Sequence, residues 1–305
     1  MVKAAILAGA GEPATLPQLV DLLHDHPDVE LVAYVNKDMA GQRLDDIFPP
    51  LKGETELRAT SDLNLDKIDV IFIVGESGLA KKFIASNTLP EKLRIIDMTG
   101  DFIDSEGEPH FVQGIAELNR KAMVRGAKYV ALPSAVTQAV VLGLLPLAKN
   151  LLLNDAISVS VVHNDNDAEP DSMTPSVLTA VDASDIAKAV TSLQTSFSSS
   201  ISGVTFHGDI PTGLTAVTTT RNNVTLGELR KLYEDYYDDH SFTFLVESQP
   251  DVNDVRGTNK CFIHLDKEGD NLIITTVLDT DIKGSAGNAL HAMNLLFGFL
   301  ERVGL

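Results

Sequence analysis

Val2-Lys-Ala-Ala-Ile-Leu-Ala-Gly-Ala-Gly-Glu-Pro-Ala14 opens the chain, and its reading decides the fold. Lys3 to Leu7 is a short apolar run without alternation, the pattern of a strand buried on both faces. It leads directly into Gly9-Ala-Gly-Glu-Pro-Ala14, which fits G-x-G-x-x-A. In that arrangement Gly9 permits a tight turn, Gly11 lets the backbone approach a pyrophosphate, and Ala14 lets the next helix pack closely on the strand. The amino end of that helix offers unpaired N–H groups to phosphates. A plain glycine-rich turn would carry the same letters. Position favours the dinucleotide, because Leu16, Leu19, Val20 and Leu23 follow at helical spacing. Glu12 is unfavourable beside a pyrophosphate unless it points away.

Working outward, Val29 to Val35 reads as the second strand, ending at Asn36-Lys37-Asp38. An acidic residue directly at that end would select NAD by its ribose hydroxyls. A polar and a basic residue there suit a 2′-phosphate, so Asn36 and Lys37 favour NADP. Asp38 keeps NAD open, and Lys37 reads equally well as a solvated loop lysine. Further strands follow at Asp69 to Val74, Leu93 to Asp97 and Lys128 to Leu132, with helices near Leu79 to Ala85 and Ala139 to Ala148. Apolar strands alternating with helices predict an α/β domain over residues 1–150, a Rossmann-type doubly wound parallel sheet.

The rhythm changes after residue 150. Ile157 to Val162, Gly203 to His207, Leu214 to Thr220, Lys260 to Leu265 and Asn271 to Leu278 are longer and alternate. Helical patterns interrupt them at Pro175 to Leu193 and Leu226 to Tyr237. The expectation is a second, α+β domain over 151–283 with a mixed or antiparallel sheet. A last helix, Ala286 to Leu300, then returns to the first domain, so residues 284–305 complete it.

Composition narrows the function. The chain has 305 residues, 24 Lys or Arg against 43 Asp or Glu, and a net charge of −19. Phosphate-backbone binding draws on clustered Lys and Arg, so nucleic acid and anionic membrane surfaces are poor partners. The longest apolar run, Ala139 to Ala148, contains Pro146 and falls far short of the ~18 residues of a membrane span. A single cysteine, Cys261, allows no intrachain disulfide and fits a reducing compartment. The cytoplasm is the expected location. Asp165, Asp167 and Glu169 alternate like a calcium loop, but Pro170 stands where glycine is needed and Ser176 where a glutamate belongs. His24 and His26 have no third metal ligand. No metal is expected.

Longer motifs carry a resemblance. Asp254-Val-Arg-Gly-Thr-Asn-Lys-Cys261, Lys283-Gly-Ser-Ala-Gly-Asn288 and Met293-Asn-Leu-Leu-Phe-Gly298 are similar to segments of N-acetyl-gamma-glutamyl-phosphate reductases. His26-Pro27, Asp97-Met-Thr-Gly-Asp-Phe102 and Gly114-Ile-Ala-Glu-Leu-Asn119 fall in the family's order. The resemblance implies the architecture of aspartate-semialdehyde dehydrogenase: a Rossmann domain, an inserted domain and a terminal helix. It implies a homo-oligomer formed through the second domain's sheet. It also implies an NADPH-dependent reduction of an acyl phosphate to a semialdehyde, in arginine biosynthesis. There a cysteine thiolate expels phosphate, hydride reduces the thioester, and a histidine manages protons. Lys283, Gly284, Ala286 and Gly287 match positions beside the cofactor, and Arg256 a position near the substrate.

The reaction-side positions depart from the family. Leu132-Pro-Ser-Ala-Val-Thr137 matches the nucleophile segment, and Ala135 takes the cysteine's place. Val181-Asp-Ala-Ser-Asp185 matches the histidine motif and contains no histidine. Pro211-Thr-Gly-Leu-Thr lacks the substrate arginine, and His163-Asn-Asp-Asn-Asp-Ala-Glu169 replaces a glycine-rich loop. Cys261 matches a strand cysteine distinct from the nucleophile, so burial is expected for it. Ser134 and Thr137 flank the vacant position, but a hydroxyl needs an adjacent base to act. His207 matches another family histidine and is either a cleft residue or a structural one. Two readings follow: an oxidoreductase of this family, its reaction impaired or turned to a different carbonyl or imine, or a non-catalytic NADP-binding protein that acts as a regulatory or assembly partner.

Overall fold

The computed structural model describes residues 1–9, 15–103, 107, 109–164, 172–210 and 212–305. In chain order its elements are β1 (Val2–Ala8), α1 (Thr15–Asp25), β2 (Val29–Val35), α2 (Leu44–Ile47), β3 (Ala59–Thr60), β4 (Val70–Val74), α3 (Leu79–Ser86) and β5 (Arg94–Asp97). Next come β6 (Val112–Gln113), α4 (Ala116–Val124), β7 (Tyr129–Ala131), α5 (Ala135–Lys149), β8 (Ile157–Asn164), β9 (Met173–Val177) and α6 (Ala180–Leu193). The chain continues through β10 (Ile201–Gly208), β11 (Leu214–Arg221), α7 (Leu226–Tyr237), β12 (Thr243–Leu245), β13 (Cys261–Glu268), β14 (Asn271–Leu278) and α8 (Gly287–Phe297). Its contacts divide it into two units, Met1–Pro133 with Ser285–Leu305, and Ser134–Gly284.

The first unit holds a seven-stranded sheet in the order β3-β2-β1-β4-β5-β7-β6, with every pair parallel. Burial on both faces explains the unalternating strands. Ala4, Ile6, Phe72 and Ile96 pack with Leu16, Leu19 and Leu23 of α1 and Leu290 and Met293 of α8. Ala5, Ile71, Ile73 and Ile95 face the other way, with Ala80 of α3. The strand order reverses between β1 and β4, and in open α/β sheets the carboxyl ends at such a reversal form the ligand crevice. Gly9 and Gly75 follow those two strand ends.

The second unit holds a mixed seven-stranded sheet in the order β12-β13-β14-β11-β8-β10-β9. Ile157, Val159 and Val161 are buried, whereas Ser158 and Ser160 between them are exposed. Helix α5 packs on the buried face: a Cβ added at Gly143 would lie 3.0 Å from Thr276 Oγ1 and 3.1 Å from Ile274 Cγ2. Pro146 lies inside α5 and supplies no N–H to the carbonyl of Leu142, four residues earlier. The Tyr237 hydroxyl of α7 donates to that carbonyl instead, and Tyr233 Oη donates to the carbonyl of Gly143 at 2.5 Å. The proline is tolerated because a neighbouring helix satisfies what it leaves open.

Three expectations change. Residues 175–177 of the expected helix at Pro175 to Leu193 belong to strand β9, and the helix starts at Ala180. Pro175 can sit there because β9 is the edge of its sheet, where a missing donor is harmless. Helix α5 belongs to the second unit, so the division falls after Pro133 and not after residue 150; its apolar surface is satisfied by that sheet. The short β6 and β12 and the polar helix α4 carry too little periodicity to be read in advance. At the other end, α8 stops at Gly298, whose left-handed φ of +71° closes the helix.

Candidate functional site

The crevice of the first unit is built from glycines in close approach. The Gly9 N–H donates to the Val74 carbonyl at 2.8 Å. A Cβ at Gly75, whose φ is +154°, would lie 2.9 Å from the Gly9 Cα. The backbones of the β1 and β4 ends therefore approach closely, and Gly75 has no room for a side chain toward Gly9. Such a bare backbone suits a pyrophosphate. One feature opposes it: a Cβ at Gly9 would meet Glu76 Oε2 at 2.2 Å, so the Glu76 carboxylate folds over Gly9. Gly11 and Ala14 lie outside the described residues.

The loop after β5 frames the same strand ends. Asp97 is buried and accepts from the Thr99 N–H (2.8 Å), Thr99 Oγ1 (2.6 Å) and the Phe102 N–H (3.1 Å). Burial pushes its pKa up against those hydrogen bonds. Asp101 accepts from the N–H groups of Gly78, Ala80 and Lys81 and from Ser77 Oγ, capping the amino end of α3. Burial alone would raise its pKa; the hydrogen bonds outweigh it and hold the carboxyl below the usual range. These two aspartates explain why the Asp97 to Phe102 segment marks the resemblance: they tie the β5 loop to α3.

At the end of β2, Asn36 is buried and its Oδ1 accepts from the N–H groups of Asp38 (3.0 Å) and Met39 (3.3 Å). Its oxygen serves the turn. Lys37 in the same turn is exposed.

The second unit carries the positions matched to chemistry. Ala135 is the first residue of α5, and a Cβ at Gly284 would lie 2.7 Å from the Ala135 Cβ. Gly284 is thus required by the alanine's proximity, and its N–H donates to the Asp279 carbonyl at 2.8 Å. Ser134 caps α5: its Oγ accepts from the Thr137 N–H at 3.0 Å and donates to Asp182 Oδ1 at 2.5 Å. Asp182, in the first turn of α6, also accepts from Thr137 Oγ1 (3.0 Å) and Thr179 Oγ1 (2.6 Å). It is 9% exposed. One carboxylate thus gathers three hydroxyls where the amino ends of α5 and α6 meet. Neither thiol nor imidazole is among its partners; Thr137 flanks the vacant position as the sequence indicates, whereas the parts of Thr179 and Asp182 carry no local sequence signal.

Other candidates have structural surroundings. His207 Nε2 lies 2.9 Å from Ser176 Oγ and 3.1 Å from Thr205 Oγ1, with the His163 ring 4.2 Å away, centroid to centroid. Lys283 is fully buried, its Nζ 5.8 Å from the centre of the Phe242 ring. Ala286 is buried and Gly287 starts α8. Arg256 is exposed, and Cys261 is buried at the start of β13. The Asp165 to Pro170 loop and Pro211 lie outside the described residues. Among the described residues no cluster of His, Cys, Asp and Glu could hold a metal, and no helix is long and apolar enough to cross a membrane.

Comparison with known proteins identifies two family matches in the chain. Residues 14–125 match the family described as semialdehyde dehydrogenase, NAD binding domain, and residues 184–280 match semialdehyde dehydrogenase, dimerisation domain. The chain is 39% identical to the N-acetyl-gamma-glutamyl-phosphate reductase of Parabacteroides distasonis, over 100% of this chain and 98% of that protein. It is also 39% identical to that of Bacteroides thetaiotaomicron, with the same coverage. Among solved structures, aspartate semialdehyde dehydrogenase II of Vibrio cholerae, complexed with ASA, superposes with a TM-score of 0.75 at 13% identity, covering 97% of this chain and 98% of that one. The Candida albicans aspartate semialdehyde dehydrogenase with NADP gives 0.71 at 13% identity, with the same coverage. These last two speak for the fold. With relatives this similar over its whole length, the chain belongs to the N-acetyl-gamma-glutamyl-phosphate reductase family.

Proposed function

We propose that this protein binds a nicotinamide dinucleotide, NADP in preference to NAD, and has lost the acyl-phosphate reduction of its relatives. One observation carries the loss: Ala135 stands at the amino end of α5, and its neighbour Ser134 is bonded to Asp182. A methyl group forms no thioester. An oxygen nucleophile needs a base able to take its proton, and Asp182 instead accepts from three hydroxyls at once. In a protease, losing the nucleophile or its base costs on the order of 10⁶ in kcat; a loss of that order is expected here.

The dinucleotide reading is supported by the bare backbone at Gly9 and Gly75 on the strand-order reversal. The bound nicotinamide would supply hydride chemistry. Lys37, exposed at the end of β2, is the residue for a 2′-phosphate. A homo-oligomer is supported by the sheet face away from α5. Val204 pairs with Ser160 and Val177 there, and Met173, Val177 and Val204 are 46%, 77% and 39% exposed. A reductase of a ketone or imine is the second reading, since direct hydride transfer requires no thiol.

Calorimetric titration with NADPH and NADH tests the cofactor. Binding of NADPH, weakened toward NADH-like affinity by Lys37→Ala, is expected; no heat with either at about 1 mM overturns it. Phosphate-dependent oxidation of N-acetylglutamate semialdehyde tests the lost reaction. Turnover by the purified wild-type chain overturns the loss. Ala135→Cys should restore little, because the histidine role is also missing; recovery to family-like rates would mean that the rest of the machinery is intact.

A further inference from the structure

The geometry points to a second small-molecule site in the first unit, at the end of the sheet opposite the Gly9 crevice, for an apolar α-amino acid. We infer it from a cavity of about 340 Å³ at the amino ends of β1, β4 and β5, lined by Asp28, Asp69, Lys92, Arg94, Phe297 and Phe299. That volume is within the usual range of small-molecule sites, about 300–1,000 Å³.

Its floor is aromatic and its walls carry two unspent charges. Arg94 begins β5 and shares a sheet face with Ile96, which packs in the core beside α8. This sends the guanidinium toward the end of that helix, where its Cζ lies 4.6 Å from the centre of the Phe297 ring. Gly298 turns the chain so that Phe299 stacks beside Phe297, centroids 6.1 Å apart. Arg94 is held there by stacking, yet its donors are nearly idle. Nη1 reaches only the Lys92 carbonyl at 3.4 Å, and Nε is buried with no acceptor. A buried donor left without an acceptor is unfavourable, so it marks a place where an acceptor belongs.

The other charges sort themselves. Asp69 is fully engaged: Oδ1 holds Lys92 Nζ at 3.0 Å and Oδ2 the Lys3 N–H at 3.0 Å. That pair cancels. The exposed Asp28 makes no ion pair among the described residues, and it does not reach Arg94. One free guanidinium and one free carboxylate therefore border the same apolar cavity without meeting. A ligand with its own carboxylate, ammonium and apolar body satisfies all three: carboxylate on the Arg94 fork, ammonium on Asp28, side chain over the phenylalanines.

The test uses the full chain and calorimetry with L-phenylalanine, 3-phenylpropionate and phenethylamine, which share the body and differ in charge. Binding of the amino acid at millimolar concentration, with both single-charge analogues about tenfold weaker, is expected. Asp28→Asn and Arg94→Gln should each weaken it about tenfold, and the first alters only an exposed side chain. Absence of heat at about 20 mM L-phenylalanine overturns the site. So does equal binding of either analogue, or unchanged affinity in Asp28→Asn. NADPH titration of the same samples reads the crevice separately.

Discussion

Ser134 Oγ lies 2.5 Å from Asp182 Oδ1, a bond between residues 48 positions apart. It joins the cap of α5 to the first turn of α6. Both helix amino ends carry partial positive charge, and the carboxylate answers both. In the segment matched to a family's proton-handling motif, this chain has a structural brace.

Replacing Asp182 by alanine should therefore destabilise the second unit. The three hydroxyls lose a charged acceptor, worth about 2–3 kcal/mol together after they turn to other partners. At the size of this unit that is a fall in Tm of roughly 5–10 °C. Differential scanning calorimetry measures it. An unchanged Tm would mean that the brace carries no weight.

In the first unit, the Glu76 carboxylate sits over Gly9, at the strand ends where the proposed dinucleotide would place its pyrophosphate. Its side chain is exposed and can swing away, at some cost in repulsion. Two unit charges about 4 Å apart in water repel by roughly 1 kcal/mol. Glu76→Ala should thus tighten NADPH about three- to tenfold, and added salt should narrow the gap. Weaker binding in the variant would assign Glu76 a supporting contact instead.

Tyr237 serves a carbonyl that Pro146 leaves open. Tyr237→Phe keeps the ring and removes the donor, stranding the Leu142 oxygen in the interior. The expected cost is about 1–3 kcal/mol. A double change with Pro146→Ala, which returns the helical N–H, should lose less than Tyr237→Phe alone. Chemical denaturation of the four proteins gives the coupling.

Glu301 predicts an acid limit for the first unit. Its Oε2 accepts from His291 Nε2 at 2.8 Å and its Oε1 from Arg120 Nε at 2.7 Å. The His291 bond outweighs the opposing effect of burial and, with Arg120, lowers the carboxyl from 4.5 to about 2. A lowered pKa stabilises the fold above the ordinary value, and that contribution fades as pH falls from 4.5 through 2. Glu301→Gln should cost about 1–2 kcal/mol at neutral pH. The difference from wild type should shrink across that window in pH-dependent thermal melts. A difference that stays constant down to pH 2 would sink the assignment.

Much of this was legible in local pattern. The second strand, Val29 to Val35, and the helix Leu226 to Tyr237 match the periodicity residue for residue. Thr225 and Glu228 form a reciprocal cap that marks the helix start. The motifs that carry the resemblance have largely scaffolding duties. Asn288 Nδ2 donates to the Gly114 carbonyl at 2.7 Å, joining two of those motifs across the first unit. Asn294 Oδ1 lies 3.0 Å from His26 Nε2, joining two more.

Strand type, the two-sheet plan and the missing thiol at Ala135 were readable from the order of residues, because burial period and side-chain chemistry are local properties. The allegiance of α5, the edge position of Pro175, the brace around Asp182 and the idle charges of Arg94 and Asp28 were not. Each depends on which distant groups the folded chain brings within hydrogen-bonding or packing distance. A serine's letter is the same whether its hydroxyl attacks a carbonyl or caps a helix; the carboxylate 48 residues away settles which.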